Sequence, residues 1–180
     1  PLARLSASIR RMWYNDIIGD PVSFSTGLTV SAIPSHTLRY PSMFHTSNIE
    51  LGVHCSIGKE RSSRNTWLYR SWASLEYICG NKGRGRAVGR LAVEGKIKEN
   101  HRTELFSDIQ CGLGGKALND EAFSGYRSLR YRTVDVGVKY TYVIDIWGRL
   151  SVIYSHRAYA QYAPNHVNTW SIEYMLPFSL

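Results

Sequence analysis

The chain has 180 residues, 22 Lys and Arg against 14 Asp and Glu for a net charge of +8, and 43% hydrophobic residues. That leaves room for one domain, and no run of apolar residues is long enough for a transmembrane helix. The three cysteines, Cys55, Cys79 and Cys111, are too widely spaced for a disulfide framework or a Cys-x-x-Cys metal pair and read as apolar side chains.

Residues 1–20 place Leu2, Leu5, Ile9, Met12, Trp13 and Ile17 at helical spacing, with Arg4, Arg10 and Arg11 elsewhere. This predicts a short amphipathic helix lying at a membrane surface. The same stretch also alternates as Ala3, Leu5, Ala7, Ile9. A strand there would be a ninth, at odds with the even number in bacterial single-chain barrels, and would imply a missing strand and a chain cut from a longer protein.

From Val22 onward the period is two. Strands are predicted over 22–32, 48–58, 67–79, 86–98, 104–117, 133–146, 149–160 and 168–180. Side chains at i, i+2 and i+4 share one face of a strand. One face, running from Phe24, Leu28 and Val30 through Val53, Leu75, Leu91, Leu105, Val136 and Val152 to Trp170 and Ile172, carries no Asp, Glu, Lys or Arg. The other carries Glu50, Arg70, Glu76, Arg86, Arg90, Glu94, Lys96, Lys98, Glu104, Asp108, Lys116, Asp135, Lys139, Asp145, Arg149, Arg157 and Glu173, nine positive against eight negative.

Several of these strands are long for soluble sheets and match what spans a bilayer when tilted. The connections 33–47, 118–132 and 161–167 are longer, while 99–103 and the Trp147-Gly148 turn are tight. Long loops at one end and short turns at the other is the asymmetry of outer-membrane barrels. The lumen of an eight-stranded barrel is only just wide enough for its side chains. The uncharged set, with Tyr69, Tyr140, Tyr142, Trp170 and Phe178, would overfill it, whereas opposite charges can pair inside. Trp and Tyr on the uncharged face also suit the boundary between an apolar band and lipid headgroups. A two-sheet sandwich could still bury the uncharged set, so a soluble β-sandwich or ligand carrier remains an alternative.

The terminal segment Trp170-Ser-Ile172-Glu-Tyr174-Met-Leu176-Pro-Phe178-Ser-Leu180 resembles the closing strand of bacterial outer-membrane β-barrels, with its aromatic two places before the end and Pro177 within it. The resemblance implies a fold class and a location, not an activity. Ser155-His156 near the end of the seventh strand is similar to the His-x-Ser pair of barrel enzymes that deacylate lipid A, yet adjacent strand residues point to opposite faces. A palmitoyl-transferring barrel would draw on His36, His45 and Ser47 in the first long loop and Asp120 and Ser124 in another. Lys82, Arg84, Arg127 and Arg130 are candidate contacts for lipopolysaccharide phosphates. The scattered histidines lack metal-ligand spacing, and the Gly-rich run at 83–85 has no strand-helix context, so no metal or cofactor site is expected.

These observations predict an all-β chain: an antiparallel eight-stranded transmembrane β-barrel over 21–180, preceded by a short N-terminal amphipathic helix over 1–20. The expected role is a structural, adhesive, receptor-like or envelope-assembly anchor in the bacterial outer membrane, with the lipid bilayer, lipopolysaccharide and an extracellular ligand or envelope protein as partners. A lipid A modifying enzyme, a deacylase or an acyltransferase, is the alternative of a different class. Nucleic acid is not expected, because that role leaves the uncharged face unexplained.

Overall fold

The computed structural model describes residues 4–35, 47–63, 66–81, 83–115, 129–144 and 147–176. They form one antiparallel sheet in chain order: β1 (Leu5–Tyr14), β2 (Ser23–Ala32), β3 (Ile49–Ser63), β4 (Thr66–Gly80), β5 (Gly83–Lys98), β6 (His101–Leu113), β7 (Arg130–Val143), β8 (Arg149–Gln161) and β9 (Asn168–Met175). Every strand pairs with its predecessor, and β1 and β9 are the two edges of the sheet. The sheet is not closed. Among the described residues no helix is long and apolar enough to cross a membrane.

The N-terminal helix expected over 1–20 is not found; Leu5–Tyr14 is a strand. Leu5, Ala7 and Ile9 lie opposite Ala32, Val30 and Leu28 of β2, so the period-two reading of this stretch prevails over the helical one. The ladder gives the backbone sheet partners that a surface helix would otherwise supply internally. The helical piece in this region is a single 3-10 turn at Asp16–Ile18, capped by Asn15 and closed by Gly19 at φ 113. The sheet therefore has nine strands rather than eight.

The remaining strands sit close to their expected positions. The connections 33–48, 81–82, 114–129 and 162–167 leave from one end, and 15–22, 64–65, 99–100 and 144–148 from the other, so the two longest share an end. One detail of phase differs. A register shift between Val134 and Asp135 sets Tyr159 opposite Val134, so Ala160 does not continue the uncharged face.

Burial is inverted relative to a water-soluble sheet. The uncharged face is the exposed one, with Leu75 at 56%, Leu91 at 54% and Leu105 at 63%. The charged face is the buried one, with Glu50 at 1%, Glu94 at 6% and Glu104 at 8%. The sheet achieves this by curling: one cavity of about 600 Å³ is lined by residues from β4 through β9. Five strand spacings span about 24 Å in a flat sheet, too far for one such cavity to bridge.

Glycines on the inward face make the curl possible where strands crowd. A Cβ at Gly137 would collide with the Phe106 ring and lie 2.5 Å from the Tyr154 carbonyl oxygen, while one at Gly112 would run into the Tyr131 ring. Outward-facing Gly95 has open space around it. Gly137→Ala is expected to destabilise the fold by about 1–3 kcal/mol through overpacking, and Gly95→Ala to stay within about 0.5 kcal/mol. Denaturant midpoints of the two variants check this, and equal shifts would contradict the crowding.

Candidate functional site

The inward face is the place where functional groups converge, because alternation sends one side chain in two to it from every strand. Its charges meet in pairs. Arg86 on β5 reaches across β4 to Glu50 on β3 at 3.1 Å, with both side chains buried. Arg70 on β4 meets Glu94 on β5 at 2.5 Å. Arg90 on β5 meets two β6 carboxylates, Glu104 at 2.7 Å and Asp108 at 3.1 Å. Asp135 on β7 receives Arg157 on β8 at 2.7 Å, and Lys139 on β7 reaches over β8 to Glu173 on β9 at 2.7 Å. Neutral pairs fill between them, such as Thr141 with Ser151 at 2.9 Å and Ser25 with Ser56 at 2.8 Å.

Aromatic rings share this interior. The Arg90 guanidinium lies 4.3 Å from the Phe106 ring centroid, and Arg70 lies 5.6 Å from that of Trp72. Phe106, Tyr131 and Trp72 occupy the phase of the charged set; for Phe106 and Trp72 that phase pointed inward, whereas Tyr131 falls in the stretch read as a connection over 118–132. A second cavity of about 370 Å³, at the short-turn end, is lined by Arg10, Asp16, Ser25, Ser56, Glu60 and Trp72 among others. Arg10 donates there to Ser25 Oγ and Ser56 Oγ, both at 2.7 Å.

Asp16 closes this second cavity at the β1–β2 turn. Its carboxylate accepts from the Ser23 hydroxyl and, at 2.5 Å, from the Glu60 backbone amide. The Ser23 hydrogen bond first, and then the Glu60 amide, hold the Asp16 carboxyl below its ordinary value of 3.8. The turn is thereby tied to β3.

Ser155 and His156 fall on opposite faces of β8. Ser155 lies opposite Gly137 and Thr169 on the inward phase, and His156 lies opposite Val136 on the outward phase. His156 Nδ1 is 2.9 Å from Asn168 Oδ1, which also accepts from the Tyr154 hydroxyl, and Glu173 is engaged with Lys139. Arg84 and Arg130 are exposed at the long-loop end. Lys82 and Arg127 lie outside the described residues, as do His36, His45, Asp120 and Ser124. Among the described residues no group of three His, Cys, Asp or Glu could hold a metal ion, and the cysteines are free. Compared with protein-family models, curated proteins and solved structures, the chain has no significant match.

Two consequences can be measured. Glu50→Ala leaves Arg86 buried without its carboxylate and is expected to cost about 3–5 kcal/mol, whereas Glu50→Leu with Arg86→Met restores most of that. Equal losses in the single and double variants would show that the pair is not the cause. For Asp16, the folded pKa lies below the unfolded one, so its contribution is complete above the unfolded value and fades as pH falls through the folded one. The stability gap between the parent chain and Asp16→Asn should therefore shrink below about pH 4, and a gap independent of pH would refute the role.

Proposed function

We propose that the chain is a transmembrane β-barrel of the bacterial outer membrane whose charge-filled interior makes it an anchor, adhesive or receptor-like protein and not an open pore. The single observation that carries the reading is the inversion of the two faces: the apolar side chains are exposed and the ions enclosed. Water does not favour that arrangement, and a lipid bilayer does. On β3 the uncharged outward run from Ile49 to Ile57 covers nine residues, and the outward charges Lys59 and Arg61 follow it. Nine residues tilted as in a barrel rise about 23 Å, close to the height of an outer-membrane apolar band.

The rim adds support. Trp13, Tyr69, Tyr140, Tyr142, Trp147 and Tyr174 are all exposed and all lie toward the short-turn end. Aromatic rings at that level are what a headgroup boundary selects. Arg84 and Arg130, at the opposite end, suit the phosphates of lipopolysaccharide. The longest connections share that end and are the surfaces for an extracellular ligand or envelope partner. The lipid A enzyme reading gains nothing from the placement of Ser155 and His156 on opposite faces.

The test is solvent preference. The purified chain should need detergent to stay monodisperse and should insert into lipid vesicles. Leu91→Lys, at the middle of the exposed face, should impair insertion by about 2–4 kcal/mol. If the parent chain is monodisperse without detergent and Leu91→Lys improves its solubility, the membrane reading is wrong.

A further inference from the structure

The two edges of the sheet pose a problem that the membrane reading must answer. Unpaired backbone N–H and C=O groups cost several kcal/mol each in hydrocarbon, so open edges do not occur there. We propose that β1 and β9 are docking surfaces for one another, pairing in parallel within one chain to close a nine-stranded barrel. This inference rests on the membrane reading above.

Direction comes first. Nine strands joined by antiparallel pairings leave the first and last running the same way, so a direct seam between them is parallel. Register follows from the side chains. The inward residues of β1 are Ser6, Ser8, Arg10 and Met12, and those of β9 are Thr169, Ser171, Glu173 and Met175. Aligned with Ile9 beside Ile172, an offset of 172 − 9 = 163, they meet as Ser6 with Thr169, Ser8 with Ser171, Arg10 with Glu173 and Met12 with Met175. Hydroxyl meets hydroxyl, cation meets anion and thioether meets thioether. Glu173 has Lys139 on its β7 side and is 55% exposed, leaving room for Arg10.

Barrel geometry is compatible with this offset. The pairing path from Met12 runs through Ser25, Ser56, Ser74, Arg90, Asp108, Asp135 and Arg157. Continuing the β8–β9 register, in which paired numbers sum to 156 + 168 = 324, sets Arg157 against position 167. Pairing Met12 with Met175 therefore requires a stagger of 175 − 167 = 8 residues around nine strands. That stagger, even as side-chain alternation demands, tilts the strands by about 32°, close to the range of natural barrels. A second copy does not fit as well. Two sheets joined edge to edge would make a barrel twice as wide, while the inward side chains of one sheet already enclose Glu50 to 1% exposure.

The test places Ser8→Cys and Ser171→Cys in a chain carrying Cys55→Ala, Cys79→Ala and Cys111→Ala, reconstituted in lipid vesicles and mildly oxidised. An intramolecular disulfide is expected at least about tenfold faster than for the offset pair Ser6→Cys and Ser171→Cys, because cross-linking requires Cα atoms within about 7 Å. Glu173→Arg should slow it several-fold, and adding Arg10→Glu should restore it. A covalent dimer would assign the edges to a second copy and overturn the proposal. No cross-link in protein that stays inserted in vesicles would overturn the seam and leave the membrane reading standing. Failure of the parent chain to insert would remove both.

Discussion

Everything else in this fold depends on the enclosure of charged side chains by a single curled sheet. Ions removed from water are costly unless each finds an opposite charge with good geometry. Six ion pairs among the described residues meet that condition by spacing. Arg90 sits between Glu104 and Asp108, and Arg86 reaches across a whole strand to Glu50. The pairs also hold register, since a slip of one residue would turn every carboxylate outward and every leucine inward. Net worth in stability is a separate matter, because buried pairs often match hydrophobic replacements. Their contribution here is specification: they tell each strand which face goes in and at what height.

The inverted faces follow from the same cause. Once the curl is filled by ions, hydroxyls and a few rings, Leu28, Val53, Leu75, Leu91 and Leu105 have nowhere to go but outward. In water this is a continuous apolar surface of the kind that soluble monomers rarely present. Among the described residues the outward charges, such as Arg11, Lys59, Arg61 and Arg132, fall toward the ends of strands. A belt bounded in that way has a thickness as well as a polarity. For the membrane reading proposed above, that thickness is a second support beside exposure.

Much of the fold was legible in the residues. The phase of most strands, the neutral balance of the inward face and the gathering of the longest loops at one end all follow from period-two alternation and turn residues. The N-terminal strand was not, because Leu5, Ile9 and Met12 satisfy both a helical and an extended period, and only the presence of β2 beside them decides. Phe106 was missed as an inward residue because its chemistry suggests the apolar face while its phase dictates the other, and Tyr131 because it falls in the stretch 118–132 read as a connection. The glycines at 112 and 137 carry the complementary information, since each is absent a side chain where a neighbouring ring lies. The identity of ion partners was also out of reach. Alternation gives the face of Lys139, but its bond to Glu173 depends on how far the sheet curls over β8.

In the proposed membrane setting, the interior and the edges are two versions of one physical problem, polar groups without water. Inside, side chains solve it for one another through fixed pairs. At the edges, the groups concerned belong to the backbone, and only another strand can satisfy them. The two solutions are linked by Arg10 and Glu173. Each lies on an edge strand, each points inward, and each has its present partners on the side away from the edge: Ser25 and Ser56 for Arg10, Lys139 for Glu173. In the proposed seam, the opposite charges of Arg10 and Glu173 continue the rule that orders the interior. With nine described strands the proposed seam is parallel, and the inward side chains along both edges suit it.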